Sequence, residues 1–314
     1  MKNIFFLSIL LIFLPRCLFA QRIIDLSYAE DMQGNYNFSC NNKAYCNYIL
    51  EIGFTSLDNA TSDHPLPYRA VVKPGMNKLF KLSKQRPGDP VQFKYKIGYF
   101  SGCLDPKVDT GFTFLLPISP GKSTQAYEVG TLPKQNAGDP QMKNVYAVRL
   151  RMKPGDTIFA ARRGTITEMD VSSNLNDSGV VSAHSDNYIE IVQGDCSFAH
   201  YGIIKRNGSF VKPGQVVEAG QPIGLVGGDK YGRGAEIRLD VHYNQTTDQS
   251  DGSGSGAGSA DIYWVYVPLK FWTKKNGKGM LKHGATYTSE WPKTILTQEI
   301  KSPPVHHPRK AHTG

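Results

Sequence analysis

The sequence predicts an all-β protein that folds as two domains. Glycine (31) and proline (19) are frequent among the 314 residues, which favours short strands joined by many turns over long helices. Hydrophobic residues make up 40% and charged residues 20% of the chain, a composition that excludes a disordered polymer and a coiled coil. A polar stretch near the middle separates two halves with different patterns, and a chain of this length can form two domains.

The first 20 residues have the pattern of a secretory signal peptide. Lys2 gives a positive start, an apolar run extends from Ile4 to Leu14, and Ala20 is a small residue at the cleavage point. The apolar run is shorter than the ~20 residues that span a bilayer. We therefore expect an exported protein, periplasmic or extracellular, that is soluble after cleavage. Loss of Lys2 and Arg16 lowers the formal net charge from +9 to +7.

Four cysteines remain after cleavage and are disulfide candidates in an oxidising compartment. They are Cys40, Cys46, Cys103 and Cys196, and four cysteines allow three connectivities. The short spacing between Cys40 and Cys46 favours a local disulfide, which would leave Cys103 to pair with Cys196. Buried free thiols remain the alternative.

The first half alternates apolar and polar residues with a period of two. From Val91 to Tyr99 the apolar residues occupy every second position, and a similar pattern runs from Tyr45 to Thr55. This period is typical of half-buried strands with one wet face. Further strand candidates are Tyr68 to Val72, Asn77 to Leu82 and Gly111 to Leu116. The pattern predicts a β-sandwich domain over residues 21–130.

A polar linker over residues 131–143 is followed by glycine-punctuated turns between short strands. Two segments, KPGDTIFAARRGTI from Lys153 and KPGQVVEAGQPIG from Lys212, share a Lys-Pro-Gly turn, a short strand and an alanine. This weak internal repeat suits a compact, barrel-like β-domain.

Longer blocks of the second half resemble a known family. They are Gly155 to Ile166, Asn187 to Gly228 (NYIEIVQGDCSFAHYGIIKRNGSFVKPGQVVEAGQPIGLVGG) and Gly234 to Tyr243 (GAEIRLDVHY). Their content and order are similar to the lysostaphin and LytM family of zinc metallopeptidases, which cut peptide cross-bridges in bacterial cell walls. The resemblance implies a LytM-like domain over residues 144–300, with an immunoglobulin-like first domain. The tail, residues 301–314, reads as disordered.

The resemblance also places the family's zinc-binding positions, and this chain departs from them. The family uses a His-x-x-x-Asp motif and a late His-x-His motif, and these positions hold Val145 with Arg149 and Glu236 with Arg238. The family's assisting histidine corresponds to His200. Zinc needs lone-pair donors and an open coordination position, and a guanidinium has no lone pair to give. We therefore expect no zinc and no catalysis, with His200 and Glu236 as relics.

The substitutions carry charge that resembles the charge of the missing site. A zinc ion with one aspartate has a formal charge of +1, and so do Arg149, Arg238 and Glu236 together. One hypothesis is that the arginines form a fixed positive centre that receives a carboxylate, because arginine binds carboxylates through two parallel hydrogen bonds. The alternative is an inert salt-bridge cluster that fills the abandoned site. His200 and Tyr201 complete the expected binding residues.

Other segments give further predictions. The apolar run Ile262 to Trp272 follows a flexible insert, residues 250–260, and predicts a strand that packs in the second domain. Its alternative is an exposed aromatic patch for a sugar or a protein. His184 is expected in an exposed loop. The scattered basic residues contain no nucleic-acid motif.

These observations predict an exported, catalytically inactive LytM-like protein. Its expected partners are peptidoglycan peptides or an envelope protein, with no nucleic acid and no membrane span after cleavage. The alternatives are an active zinc endopeptidase with atypical ligands and a purely structural envelope component. Fold resemblance alone does not decide among them.

Overall fold

The computed structural model describes residues 22–130, 142–143, 145–174, 186–232, 234–246 and 262–298. Strands dominate these ranges, and the all-β prediction is confirmed. No helix among the described residues is long and apolar enough to cross a membrane. The predicted signal peptide, the insert at 250–260, the tail at 301–314, His184 and most of the predicted linker lie outside the described residues.

The first domain, here called the sandwich domain, consists of seven strands in two facing sheets. One sheet has the order β1-β2-β6-β4 and the other β5-β3-β7, so the strand counts match an immunoglobulin-like sandwich. The bounds are β1 (Ile24–Glu30), β2 (Tyr36–Asn42), β3 (Tyr48–Asp58), β4 (Ala60–Ser62), β5 (Tyr68–Val72), β6 (Gly75–Lys84) and β7 (Gln92–Ser101).

The period of two in the sequence is realised on β7. Phe93 and Tyr95 are half-buried, whereas Lys94 and Lys96 between them are exposed. The inward-facing residues of both sheets join one core that includes Phe38, Leu50, Ile52, Phe80 and Leu82. Burial of this alternating set is what holds the two sheets face to face.

The second domain consists of the remaining strands, arranged as one large sheet and two small ones. The large sheet has the order β17-β13-β14-β15-β19-β11-β9-β23, with β20 beside β19 and β10 beside β20. The small sheets are β12-β18-β16 and β22-β21-β8. The bounds are β8 (Thr113–Leu115), β9 (Ser123–Gly130), β10 (Met142–Lys143), β11 (Ala147–Arg151), β12 (Thr157–Phe159), β13 (Gly164–Asp170), β14 (Tyr188–Val192), β15 (Phe198–Gly202), β16 (Ile204–Ser209), β17 (Val216–Val217), β18 (Pro222–Val226), β19 (Glu236–Thr246), β20 (Ile262–Tyr266), β21 (Lys270–Thr273), β22 (Gly277–Gly279), β23 (Thr286–Thr288) and a short helix α1 (Lys293–Leu296).

The boundary between the domains lies earlier than the sequence suggested. Strands β8 and β9 were expected to belong to the sandwich, but β8 pairs with β21 and β9 pairs with β11 and β23. Phe112, Phe114 and Ala126 accordingly lie in the core of the second domain. The sandwich therefore ends near Ser101, and the segment before the linker completes the second domain.

The internal repeat corresponds to two interlocked strand pairs. Strand β12 of the first copy pairs with β18 of the second, and β13 pairs with β17. In each Lys-Pro-Gly turn the glycine has a positive φ, 76° at Gly155 and 84° at Gly214. The next residue's N–H donates to the lysine carbonyl in both copies. These are the properties of type II turns, which favour proline and then glycine at their two central positions.

The apolar run after the insert packs as its simpler interpretation predicted. Strand β20 pairs along β19, from His242 opposite Tyr266 to Thr246 opposite Ile262. Phe271, on β21, is completely buried. Trp264 keeps 37% of its surface exposed, so the run closes the domain and leaves one aromatic side chain at the surface.

A disulfide and hydrogen bonds join the two domains. Cys103, just after β7, is bonded to Cys196 in the turn between β14 and β15. The side chain of Asn244 donates to the carbonyl of Ser101. The Cys103–Cys196 pairing is therefore as expected.

The local disulfide expected in the sandwich domain is not formed. Cys40 and Cys46 are buried free cysteines, which was the alternative. Cys40 lies within the apolar core of the sandwich, and the short spacing in the sequence did not reflect how β2 and β3 place these side chains.

Candidate functional site

The large sheet of the second domain has one apolar and one polar face. Along β14, β15, β19 and β11 alternate side chains point to opposite sides. One set enters the core: Val148, Leu150, Ile189, Ile191, Ala199, Tyr201, Ile237, Leu239 and Val241. The other set forms what we call the polar face: Arg149, Glu190, His200, Glu236, Arg238, Asp240 and His242.

Arg238 reaches across one strand to a carboxylate on the far side. Gly202 lies directly opposite Arg238 in the β15–β19 register, and a Cβ on Gly202 would lie 2.9 Å from Nη2 of Arg238. The guanidinium therefore lies over this glycine. Its Nη2 is 3.4 Å from Oδ2 of Asp186, whose Oδ1 accepts a hydrogen bond from the hydroxyl of Tyr231 at 2.9 Å. This glycine leaves the space that lets a buried arginine cross the strand.

Arg149 is the cross-strand neighbour of Arg238 and has its own carboxylate. The two arginines face each other in the β11–β19 register. Nη1 of Arg149 is 3.8 Å from Oε1 of Glu236. The exposed fractions of the four residues, including Asp186, are between 4% and 9%. Two buried positive charges are thus matched by two buried negative ones.

This balance corrects the charge expected from the sequence. The expected sum of +1 omitted Asp186, and with it the cluster of Arg149, Arg238, Glu236 and Asp186 is neutral. The expected pairing of Glu236 with one arginine is found. A neutral, buried cluster corresponds to the salt-bridge alternative more closely than to an open positive centre, because a carboxylate entering from solvent would have to displace an internal one.

His200 belongs to a second group of charges on the same face. Glu190, His200 and Asp240 lie side by side on three adjacent strands. Nδ1 of His200 is 3.9 Å from Oε2 of Glu190, and Nδ1 of His242 is 3.4 Å from Oδ1 of Asp240. The polar face therefore carries acids and histidines in alternation, and His200 lies one step along the strands from the arginine cluster.

In this group the pKa of His200 is raised and the pKa values of the two carboxyl groups, Asp240 and Glu190, are lowered. Burial alone would lower the pKa of His200, but the neighbouring carboxylates of Glu190 and Asp240 raise it above the ordinary value. Burial alone would raise the pKa of Asp240, but the hydrogen bond from His242 and the nearby positive charges lower it. Glu190 behaves in the same way, with burial opposed by His200 and His242. The ionised forms of Glu190 and Asp240 and the protonated form of His200 therefore favour one another.

The sandwich domain lies beside this part of the polar face. Burial, and then the charges of Glu190 and Glu168, raise the pKa of the Cys46 thiol to about 12. The ring of Tyr188 is stacked on His200 with centroids 5.0 Å apart, and His200 retains only 23% of its side-chain surface. The acid–histidine group is therefore partly covered by an aromatic ring, and carboxylates of this face lie close enough to a residue of the other domain to shift its pKa.

Tyr201 is not a binding residue of this face. Its side chain is fully buried in the core on the opposite side of β15, and its hydroxyl accepts a hydrogen bond from the backbone N–H of Ala161 at 2.8 Å. The prediction was wrong because adjacent residues of a strand point to opposite faces, so Tyr201 and His200 cannot line one groove.

Sequence reasoning missed several members of the polar face. Asp240 and His242 follow Arg238 at intervals of two, a signal that was available once β19 was recognised as a strand. Glu190 alternates in the same way with buried isoleucines of β14. Asp186 gave no local signal, because it lies in a loop and becomes a partner of Arg238 only through the β14–β15–β19 pairing.

The side chains at the expected ligand positions do not suit a zinc ion. Val145 offers no donor, and Arg149 and Arg238 are cations without a lone pair. Glu236 could donate, but it is engaged with Arg149. Among the residues that the structure describes, no group of three or more His, Cys, Asp or Glu side chains is arranged to hold a metal ion.

Comparisons with known proteins give a family for the second domain. Residues 143–250 match the model of Peptidase family M23. No curated protein sequence matches the chain significantly.

Solved structures similar to this chain include three from named bacteria. The catalytic domain of lysostaphin from Staphylococcus simulans is 24% identical, covering 40% of this chain and 79% of its own, with a TM-score of 0.26. The catalytic domain of the prophage-encoded M23 protein EnpA from Enterococcus faecalis, in a variant form, is 18% identical, covering 40% and 85%, with a TM-score of 0.29. Csd3 from Helicobacter pylori is 11% identical, covering 74% and 77%, with a TM-score of 0.28.

The match to the family model spans the strands that build the polar face, from β10 to β19, and agrees with the motifs read from the sequence. Residues 143–250 of this chain therefore match a peptidase M23 domain.

Proposed function

We propose that this protein is an exported, catalytically inactive member of the M23 type that acts as a wall-binding or regulatory component of the bacterial envelope. The signal-peptide pattern of the first 20 residues supports export. The disulfide between Cys103 and Cys196 suits an oxidising compartment. The M23 domain supports a role at the cell wall, because the family it resembles acts on peptidoglycan.

The observation that carries the proposal is the pair of buried arginines at ligand positions. Arg149 and Arg238 lie opposite each other on the adjacent strands β11 and β19. Each has a buried carboxylate within 4 Å. Removing an arginine would leave its carboxylate as an uncompensated buried charge. The arginines therefore act as structural replacements for the metal, and they support a domain that keeps the fold without the chemistry.

The surface charge of the protein favours a binding or regulatory role over a purely structural one. The mature chain has a formal charge of +7, and the described cluster at the old ligand positions is neutral, so the positive excess lies elsewhere. An exported basic protein is attracted to anionic surfaces. Basic side chains outside the cluster are thus the groups available to an acidic wall component.

Metal content and wall hydrolysis test the proposal directly. The purified full chain is dialysed against zinc, and its bound metal is measured by mass spectrometry; we expect well below one zinc per chain and no release of soluble fragments from purified peptidoglycan. Thermal unfolding with and without a chelator is the matched control, and the melting temperature should not change. Stoichiometric zinc, lost together with hydrolysis on chelation, would instead establish an active endopeptidase with atypical ligands.

Sedimentation with insoluble peptidoglycan separates the remaining roles. A wall-binding protein pellets with the sacculi and is released by salt, because screening weakens exposed charge contacts. A chain that stays in the supernatant but captures an envelope protein is regulatory or structural, and the wall-binding part of the proposal then fails.

A further inference from the structure

A basic cavity lies beyond the arginine cluster, where β9 begins and β11 ends. Its volume is about 510 Å³, which is within the range of small-ligand sites. Its wall includes three basic residues, Lys122, Arg151 and Lys153, and one acidic residue, Asp156, and its apolar part includes Ile118 and Met152. We call this space the basic cavity.

One of the three cations in the wall is already neutralised. Nζ of Lys122 is 2.8 Å from Oδ1 of Asp156, and the other carboxylate oxygen accepts a hydrogen bond from the backbone N–H of Lys153 at 3.1 Å. Burial would raise the pKa of Asp156, but these two hydrogen bonds lower it. Asp156 is therefore ionised and engaged, and it has no further bond to the other cations.

The other two cations are less engaged, although the charge of Lys153 contributes to lowering the pKa of Asp156. In the described part of the chain, neither the guanidinium of Arg151 nor the ammonium of Lys153 has an ion pair. Glu236, the cross-strand neighbour of Arg151, contacts Arg149 instead. The carbon Cζ of Arg151 lies 4.6 Å from the ring centroid of Tyr127, so one face of the guanidinium is covered.

This arrangement selects a particular kind of ligand. A guanidinium whose face is covered still presents its edge, and that edge matches the two oxygens of an oxyanion. Lys153 adds a second charge, and the apolar residues suit a small aliphatic group. We propose that the basic cavity binds the free carboxylate of a short aliphatic peptide, with Arg151 and Lys153 as its anion-binding groups. This inference rests on the proposed function in one respect, since it takes the cell wall as the source of such peptides.

The placement relative to the M23 domain adds to this proposal. Arg151 and Arg149 are two residues apart on β11, about 7 Å, and point to the same face. Arg149 is buried and paired, whereas Arg151 is exposed. Arg149 and Arg238 are therefore poorly placed to bind a carboxylate from solvent, whereas Arg151, the next arginine on β11, can do so.

The test is a calorimetric titration of the full chain with N-acetyl-alanyl-alanine, with its C-terminal amide and with inorganic phosphate. We expect binding of the free acid and at least tenfold weaker binding of the amide, because a charge-assisted hydrogen-bond pair is lost. Arg151→Gln and Lys153→Gln should each weaken binding of the acid by about tenfold. Lys94→Gln removes the same charge from the exposed face of β7 and should change nothing.

Several results would overturn the assignment. Equal binding of acid and amide would show that the carboxylate is not recognised, and phosphate binding as tight as the peptide would show that the apolar part contributes nothing. An effect of Lys94→Gln equal to that of Arg151→Gln would reduce the binding to diffuse charge, and absence of any binding would remove the site. Arg151 and Lys153 are exposed, so the variants should unfold at the same temperature as the native chain, which excludes a folding defect. Sedimentation with whole peptidoglycan is measured in parallel, so loss of the cavity is distinguishable from failure of the proposed function.

Discussion

Replacing Arg238 by alanine should destabilise the second domain far more than loss of an ordinary salt bridge. The side chains of Arg238 and Asp186 are 5% and 1% exposed. In Arg238→Ala the carboxylate of Asp186 stays buried without its positive partner. The guanidinium that lies over Gly202 is also lost, which leaves a space above the strand.

The size of the effect follows from these contacts. Removing one partner of a buried ion pair costs about 3–5 kcal/mol. Asp186 keeps the hydrogen bond from Tyr231 at 2.9 Å, which compensates part of the loss, so we expect about 3 kcal/mol. For a domain of this size, that corresponds to a decrease in melting temperature of about 6–12 °C.

Tryptophan fluorescence during urea unfolding is a suitable assay. All three tryptophans, Trp264, Trp272 and Trp291, belong to the second domain, so the signal reports that domain alone. The matched control is Arg163→Ala, which breaks a 3.0 Å ion pair with Glu218 whose side chains are 66% and 63% exposed. An exposed pair of this kind contributes at most about 1 kcal/mol.

A double variant separates charge from packing. Adding Asp186→Asn to Arg238→Ala removes the orphan charge while keeping an acceptor for Tyr231, and it should recover more than half of the lost stability. If Arg238→Ala costs no more than the Arg163 control, or if the double variant is no better than the single one, the arginine does not act by neutralising a buried carboxylate.

Three further predictions follow from other contacts. Because the pKa of His200 is raised above 6.5, its stabilising contribution is complete below about pH 6.5 and is lost as the pH rises through the raised value; NMR titration of the ring checks this, and a pKa below 6.5 contradicts it. Tyr201→Phe should lower the free energy of unfolding by about 1–3 kcal/mol, since a buried backbone N–H loses its acceptor, without changing sedimentation with peptidoglycan. Replacing both Cys103 and Cys196 by serine opens a loop with a sequence separation of 93 and should cost about 4–5 kcal/mol in chemical unfolding, whereas an unchanged midpoint would show that the disulfide contributes no stability.

The fold was predictable where periodicity and turn chemistry are local. Strand β5 has the bounds that the sequence predicted, Tyr68–Val72, and the repeated Lys-Pro-Gly turns are formed by backbone geometry that proline and glycine favour. Strand β8 was also placed correctly in the chain. However, β8 was assigned to the wrong domain. Its partner strand β21 lies more than 150 residues away, and alternation alone cannot identify a partner.

The site was predictable in its identities but not in its partners. The motifs located Arg149, Glu236 and Arg238, which the structure brings together. The missing element was Asp186, whose role depends on Arg238 crossing Gly202 on the neighbouring strand. Tyr201 failed for a local reason, since the rule of alternation that places His200 on the polar face places its neighbour in the core.

Because the buried arginines are paired with internal carboxylates, an acidic ligand is more easily bound elsewhere on the surface. A metal site has an open coordination position that a substrate can occupy, whereas Arg149 and Arg238 are already matched by internal carboxylates that only a competing ligand could displace. Because such displacement would uncover a buried charge, binding at the old ligand positions is costly. Recognition is less costly at Arg151, which is exposed, lies on the same strand and has no carboxylate within the described residues. If this chain has no metal and binds acidic wall peptides, as we propose, the point of contact is therefore expected along β11, at the edge of the polar face and not at its centre.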